Sequence, residues 1–240
     1  MVSLKEQILL AIYEEFEKWA KEEKTVCSKG CTACCTQNVT MTAVEGDLIH
    51  RHIRENDQME WFAGKLQEKG NTRRPEMTTN GFAAACLQGE DVESGSSGNE
   101  SVCPFLENKS CSIYAVRPFS CRCFVSEETC KPGVAAVIPE SYLSASTAVM
   151  QIVEHLGQGE YWGNMLDVLL ALSDLPENRR YNQFLPASLP DQGRAHLVKA
   201  LPLPGFLLLE EEMKKIEPLI QGIFTHPIGE KSIEEILNNR

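Results

Sequence analysis

The chain has 240 residues, of which 42% are hydrophobic, so it can bury an ordinary core without disulfide or metal staples. Its net charge of -11 repels phosphate backbones, and we expect no nucleic-acid partner. The N-terminal residues lack the features of a signal peptide, and no apolar run approaches the roughly 18 residues needed to span a bilayer, so we expect a cytoplasmic protein without membrane contact.

Two capping boxes mark the starts of helices in the N-terminal half. Ser3 and Glu6 have the required spacing, and apolar residues follow them at helical intervals, which predicts an amphipathic helix over residues 4–24. Thr42 and Glu45 repeat the signature before a longer apolar pattern of the same period. This pattern predicts one helix that runs until Gly70.

The loop between these helices carries CSKGCTACC, residues 27–35. Cys31 and Cys34 have the C-x2-C spacing in which a short turn brings two thiolates to one metal ion. Cys27 precedes Cys31 by four residues, which would place both sulfurs on neighbouring turns of a helical face. Cys34 and Cys35 are adjacent and diverge, so one ligates while the other bridges, serves a second ion or packs. In a reducing compartment this clustering favours metal over disulfides.

A second cysteine group follows a polar segment. Residues 89–101 are rich in Gly, Ser and acidic residues and predict a mobile surface loop. The next stretch, CPFLENKSCSIY, has two short apolar runs around a polar turn, which predicts a β-hairpin with Cys103 and Cys111 facing each other. A proline then stands at the first turn of a short predicted helix that carries Cys121.

No cysteine follows residue 130, and the rest of the chain has a plain helical pattern. The predicted helices there are 139–156, 160–174, 206–222 and 231–238. We therefore expect a mainly α fold with a small β-hairpin and an irregular cysteine-rich metal-site region packed on helices. Residues 1–130 form the predicted metal-binding domain, and residues 131–240 form a helical extension packed on the same core.

The two cysteine groups together make the candidate metal site. The candidate ligands are Cys27, Cys31, Cys34, Cys35, Cys103, Cys111 and Cys121. Seven thiolates do not divide into two closed four-thiolate sites, so one site has an open position, a cysteine bridges, or an extra cysteine completes the set. The roles of Cys86, Cys123 and Cys130 stay open.

Two arginines flank the second cysteine group. Arg117 and Arg122 are candidate cofactor-binding residues, because a guanidinium can donate hydrogen bonds to thiolate sulfur and offset negative charge. The alternative is a surface arginine paired with glutamate. His50 and His52 are two residues apart on a predicted helix and cannot share an ion from one face, so no histidine joins the ligand set.

These motifs resemble those of the YkgJ-like cysteine-cluster family, described as zinc- or iron-chelating domains and often labelled Fe-S cluster oxidoreductases. The resemblance covers about residues 27–124 and is carried by CxxCC, CPFL, CSIY and RPFSCR. It implies a cysteine-rich site for iron, an Fe-S cluster or zinc. Some relatives are flagellin lysine N-methylases, so it also implies methyl transfer as a remote activity.

Two functions remain open at this point. The first is a metal-binding protein that holds iron, an Fe-S cluster or zinc through clustered thiolates, with the metal ion as its partner. The second is an Fe-S-dependent enzyme, either an oxidoreductase or a protein-lysine methyltransferase-like protein, for which no catalytic residue can be named. A thioredoxin-type thiol oxidoreductase is disfavoured because its C-x-x-C needs a βαβ setting, which the chain lacks.

Overall fold

The computed structural model describes residues 2–28, 30–93, 95, 99–131 and 134–238. The α-helices are α1 (Leu4–Ala20), α2 (Ala43–Glu55), α3 (Met59–Gln67), α4 (Thr79–Leu87), α5 (Phe119–Arg122), α6 (Glu140–Leu156), α7 (Met165–Leu172), α8 (Leu189–Ala195), α9 (Glu210–Thr225) and α10 (Ile233–Asn238). Short 3-10 helices span Tyr114–Val116 and Pro176–Gln183. The strands are β1 (Thr40–Thr42), β2 (Leu106–Glu107), β3 (Ser110–Cys111), β4 (Tyr161–Asn164), β5 (Val198–Lys199), β6 (Pro227–Ile228) and β7 (Lys231–Ser232). The fold is thus mainly α with small antiparallel strand pairs, as the sequence predicts.

Both predicted capping boxes form. The Ser3 hydroxyl accepts a hydrogen bond from the Glu6 amide at 3.1 Å, and the Glu6 carboxylate accepts one from the Ser3 amide at 3.0 Å. Helix α1 nevertheless ends at Ala20 instead of residue 24. The next four residues are all charged, so they offer no apolar side chain to the core and the helix gains nothing by continuing.

The single long helix predicted after Thr42 was wrong, because the chain breaks between α2 and α3. Helix α2 ends at Glu55, and Asp57 adopts the left-handed region with φ 53°. Asn and Asp tolerate this region better than other non-glycine residues, which makes the Asn56-Asp57 pair a natural stop. The apolar period continues from α2 into α3, so the sequence pattern did not reveal the turn between them.

A three-stranded antiparallel sheet with the order β1-β4-β5 was not predicted. Met41 pairs with Gly163, and Trp162 pairs with Val198. A Cβ on Gly163 would lie 2.6 Å from a Leu197 methyl carbon, so glycine permits the close approach. The helix predicted from residue 160 therefore begins only at Met165.

The β2-β3 hairpin forms as predicted, but the facing of its cysteines was wrong. Its turn uses Asn108 and Lys109 with φ values of 49° and 61°, the conformation of a tight two-residue hairpin loop. The register pairs Cys111 with Leu106, whereas Cys103 precedes the strands. The preceding predicted loop lies partly outside the described residues, at 94 and 96–98.

The C-terminal helices otherwise follow the sequence pattern with shifted ends. Helix α6 ends at Leu156 before Gly157, as predicted. Helix α9 begins four residues later than predicted, at Glu210, and continues to Thr225. Helix α8 lies between residues 174 and 206, where we predicted no helix.

One hydrophobic core runs through the molecule. Helix α1 packs against α2, α6 and α9, and α2 packs against α7. The ring of Phe16 on α1 meets Phe119 of α5 at 4.7 Å and Tyr142 of α6 at 5.6 Å between centroids, both edge to face. Elements from both halves of the chain therefore hold α5, which carries Cys121, in place. In the described part of the chain, no helix has the length and apolar content to cross a bilayer.

We expect Asp47→Asn to stabilise the protein at neutral pH. Burial, together with the carboxylates of Glu160, Glu177 and Glu6, raises the pKa of Asp47 from 3.8 to about 7, against the opposing charge of Arg54. A raised carboxyl pKa means that the folded state holds its proton more tightly, so native stability falls as pH rises from about 4 to about 7. The variant escapes this loss, with a gain of at most about 4 kcal/mol above pH 7.

Urea unfolding of wild type and variant at pH 4 and pH 8 measures the effect. The exposed Asp91→Asn variant is the control. The explanation fails if the stability difference between Asp47→Asn and wild type is the same at both pH values.

Candidate metal centre

The first cysteine group lies in irregular chain between α1 and β1, folded by two tight turns. The Cys31 amide donates to the Ser28 carbonyl at 2.9 Å, and the Cys35 amide donates to the Thr32 carbonyl at 3.1 Å. Gly30 has φ 100°, a conformation that favours glycine. These turns fold the backbone tightly through the four cysteines of the loop.

A short antiparallel contact joins this loop to the second cysteine group. Thr36 and Val102 form an isolated β-bridge. The Cys103 amide donates to the Cys35 carbonyl at 3.0 Å on one side of that bridge. Backbone pairing therefore sets Cys35 beside Cys103, although 67 residues of chain separate the two thiols.

Gln37 fixes the loop onto the helical body. Its side chain is buried and donates to the carbonyls of Glu68 and Val102, each at 3.2 Å, while its own amide oxygen accepts from the Gly70 amide at 2.7 Å. Its backbone carbonyl accepts from the Asn164 side chain at 2.6 Å. One side chain and its carbonyl thus connect the cysteine loop to the end of α3, to the second cysteine segment and to β4.

Glu45 positions the helix that carries Cys121. The buried carboxylate caps α2 by accepting from the Thr42 amide at 2.8 Å. It also accepts from the Tyr13 hydroxyl at 2.8 Å and from the Phe119 amide, at the start of α5, at 2.7 Å. Burial raises the pKa of Glu45, although these hydrogen bonds oppose that shift. The carboxylate therefore connects α1, α2 and α5.

Four of the candidate ligands lie within electrostatic range of one another, and we call them the inner set: Cys35, Cys103, Cys111 and Cys121. A hydrogen bond donated by the Cys34 thiol lowers the pKa of Cys35, while burial and negative charge on its three inner-set neighbours act in the opposite direction. Burial raises the pKa of Cys121 well above its usual range, and charge on Cys103 or Cys111 raises it further. Burial likewise raises the pKa of Cys103 to about 11.

The remaining candidate ligands are Cys27, Cys31 and Cys34, and the charge of Cys34 also acts on Cys121. Cys31 and Cys34 are exposed, and Cys27 is half-buried. The backbone of Ser126 hydrogen-bonds the Cys27 thiol, next to a bond of 2.9 Å from the Val26 amide to the Ser126 carbonyl. All ten cysteines are free thiols. Within the described residues, no three or more His, Cys, Asp or Glu side chains are arranged to hold a metal ion.

Arg117 lies close enough to the thiols for its charge to act on them. Its guanidinium lies 3.8 Å from the centre of the Tyr114 ring. Its positive charge acts on the thiols of Cys34 and Cys111, where it opposes the rise of their pKa. Among the described residues, its Nε is a buried donor without a hydrogen-bond partner. A negatively charged thiolate site would supply the missing acceptor.

Arg122 has a different set of partners. Its Nε donates to the Arg117 carbonyl at 3.0 Å, and a terminal nitrogen donates to the Ala115 carbonyl at 2.8 Å. The guanidinium also pairs with Glu17 and lies 4.2 Å from the centre of the Tyr13 ring. These contacts hold the turn before α5 and connect it to α1.

The other cysteines and histidines considered in the sequence have separate environments. Cys123 is buried, and its thiol contacts the Ser120 carbonyl at 3.6 Å. Cys86 lies on α4. His50 is buried in the core with its Nε2 2.9 Å from the Leu169 carbonyl, and burial lowers its pKa to about 4. His50 is therefore a neutral core residue.

Sequence reasoning missed the two residues that position the thiols. Glu45 carried a signal, the capping box, but its bonds to Tyr13 and Phe119 join segments far apart in the sequence. Gln37 carried no signal, because an isolated glutamine after a cysteine cluster is ordinary. Neither role has a local pattern that could reveal it.

The donor chemistry fits a soft or borderline metal ion. Thiolate ligands select zinc, iron and Fe-S clusters over the hard cations that prefer oxygen. Close, partly buried thiols cannot all ionise without a compensating cation. The raised pKa values of Cys103 and Cys121 reflect this cost of ionisation. The residue types at these positions therefore suit zinc or iron better than a hard cation.

Comparison with known proteins agrees with this preference. Residues 26–138 match the model of the CxxCxxCC family, described as "Putative zinc- or iron-chelating domain". The predicted resemblance to a cysteine-cluster family is therefore confirmed over this segment, and the match supports a metal cofactor. No curated protein and no solved structure matches the chain.

We expect Gln37→Ala to lower stability by about 1–3 kcal/mol, because it leaves the Gly70 amide and two carbonyls without their partner. Urea unfolding of the metal-free protein measures this loss apart from any metal effect. The exposed Gln7→Ala variant is the matched control. Equal unfolding midpoints for the two variants would show that Gln37 does not hold the loop.

Proposed function

We propose that the protein binds iron, an Fe-S cluster or zinc through the seven thiolates predicted as ligands. The observation that carries this proposal is the convergence of the inner set. Its cysteines come from a loop, a turn before a hairpin, the hairpin and a short helix, and they remain free thiols. Cysteines that only fill a core do not have to lie beside one another, whereas the ligands of a thiolate centre do.

Charge balance supports the proposal. Four thiolates in a half-buried position repel one another strongly, and a divalent ion removes most of that repulsion when it displaces their protons. Arg117 supplies further positive charge and a free Nε donor on the same side. When bound, the metal would cross-link four chain segments, and an iron centre would also supply electron transfer.

The colour and the metal content of protein purified without oxygen would identify the metal. A brown protein with broad visible absorbance, and with iron and sulfide in similar amounts, would identify an Fe-S cluster. A colourless protein with bound zinc would identify a zinc centre. A preparation that contains no metal, and whose ten thiols all react with a thiol reagent in the folded state, would contradict the proposal.

We expect Cys103→Ser and Cys121→Ser to lower metal content and thermal stability, because metal binding contributes to folding stability. Elemental analysis and thermal melting of the full chain measure both effects. Cys86→Ser is the matched control, since Cys86 lies on α4 and the proposal assigns it no metal. Unchanged metal content in both test variants would refute these ligand assignments.

We expect Arg117→Gln to release metal to a chelator about tenfold faster or more, since loss of a residue that supports the ligands typically costs 10-fold to 100-fold in metal affinity. Arg117→Lys keeps the charge but lacks the Nε donor, so its rate should lie between those of wild type and Arg117→Gln. Arg180→Gln, at an exposed position, is the control. Identical release from Arg117→Gln and Arg180→Gln would exclude a role for Arg117.

A further inference from the structure

A group of four polar side chains without any cysteine lies at the start of α7. Asp167, in the first turn of that helix, is fully buried. Its carboxylate accepts a hydrogen bond from the Thr72 hydroxyl at 2.6 Å and pairs with the Lys69 ammonium at 3.1 Å. The Thr72 oxygen in turn lies 3.0 Å from Nδ1 of His196. None of these residues takes part in the proposed metal centre, and Asp167 and His196 lie outside the segment matched to the chelating family.

The number of available protons decides the direction of these hydrogen bonds. A threonine hydroxyl has one proton, and an ionised carboxylate can only accept. The contact with Asp167 uses the proton of Thr72, so the Thr72 oxygen must accept from His196. The proton of the neutral imidazole is therefore on Nδ1, and the lone pair is on Nε2. Thr72 is not a nucleophile activated by His196, because Nδ1 then has no lone pair to receive its proton.

The lone pair on Nε2 of His196 is accessible. The side chain is 35% exposed, whereas Thr72 and Asp167 are buried behind it. Among the described residues, Nε2 has no hydrogen-bond partner. A histidine whose Nδ1 proton is held and whose Nε2 is free has the arrangement of a base or nucleophile, because a nearby carboxylate stabilises the imidazolium that forms.

Exposed cationic residues adjoin both Thr72 and His196 in the chain. Arg73 and Arg74 directly follow Thr72, and neither pairs with an acidic residue in the described part of the chain. Lys199 stands three residues after His196 and is also exposed. In a chain with a net charge of -11, such a local excess of positive charge favours an anionic ligand at this position.

We propose that His196 accepts a phosphoryl group at Nε2 from a small phosphoryl donor with a good leaving group. The Nε2 lone pair forms a bond to phosphorus, and the bond from phosphorus to the leaving group breaks with its electron pair, so no oxidant or reductant is needed. The ring keeps its Nδ1 proton and gains a positive charge, which Asp167 stabilises through Thr72. Thr72 and Asp167 are thus positioning residues, and His196 is the residue that contacts phosphorus.

The test treats the full-length protein with phosphoramidate and follows phosphorylation of each histidine by mass spectrometry. We expect His196 to react about tenfold faster than His52, which is partly exposed but has an amide, from Asn56, as the neighbour of its Nδ1. Thr72→Val removes the hydroxyl at nearly constant size and should slow the reaction of His196 about tenfold. Thr72→Ser keeps the hydroxyl and should react as wild type does.

Nitrogen-15 NMR of the histidine rings gives a readout that a merely structural role of Thr72 would not change. Neutral His196 in wild type should carry its proton on Nδ1, and Thr72→Val should gain a population with the proton on Nε2. Thermal melting shows whether each variant folds. If Thr72→Val does not fold, the position of the proton on wild-type His196 and its rate relative to His52 decide the question.

A double variant tests the role of the cations. Arg73→Gln/Arg74→Gln should slow phosphorylation of His196 about tenfold, because the anionic donor is then less attracted to the site. Arg180→Gln, at an exposed position elsewhere, should leave the rate unchanged.

Three results would each overturn the proposal. The first is a wild-type His196 that carries its proton on Nε2. The second is a His196 that reacts no faster than His52, and the third is a folded Thr72→Val variant that reacts as fast as wild type. Equal rates for Arg73→Gln/Arg74→Gln and Arg180→Gln would exclude the arginines from binding the phosphoryl donor.

Discussion

The buried carboxylate of Glu45 is the constraint on which the arrangement of the thiols depends. It accepts hydrogen bonds from Thr42, Tyr13 and Phe119, so it fixes the start of α2, the face of α1 and the first turn of α5 together. A helix as short as α5 has little stability of its own. Its place is set by that carboxylate, by the edge-to-face contact of Phe119 with Phe16, and by the carbonyl contacts of Arg122. Cys121 reaches the inner set because these contacts hold its helix.

The cysteine region carries much potential negative charge, although Cys27, Cys103 and Cys111 pack against the core. Gln37, the Thr36-Val102 bridge and two tight turns determine the backbone path without any ion. The inner-set thiols lie within electrostatic range of one another at partly buried positions, where ionisation is unfavourable until a cation arrives. The backbone of the site is therefore largely formed in advance, which lowers the entropic cost of binding metal. The chain is acidic overall, but Arg117 places a positive charge next to the thiols.

Local signals in the sequence predicted local structure well and long-range structure poorly. The capping boxes at Ser3 and Thr42 and the hairpin turn at Asn108 were readable, because each depends on residues within a few positions. The break at Asp57 was missed because the apolar period continues across it. Strands of two to four residues, such as β4, are too short for an alternating pattern to stand out from a helical one. The two groups of cysteines could be identified from the sequence, whereas the residues that lie next to each thiol could not. Ser126, for example, reaches Cys27 only through long-range contacts.

The pairing of β1 with β4 has a consequence for the use of the matched segment as an isolated fragment. Residues 26–138 contain β1 but neither its partner strand nor α1. Helix α1 supplies Tyr13, which donates to Glu45, and Phe16, which packs on Phe119 of α5. Excision at those limits would leave β1 without its partner strand and uncover the apolar face of α2 that packs on α7. The recognisable motif is thus smaller than the cooperative unit that folds it. Inserted alone into another protein, it would carry the candidate ligands without the scaffold that positions them.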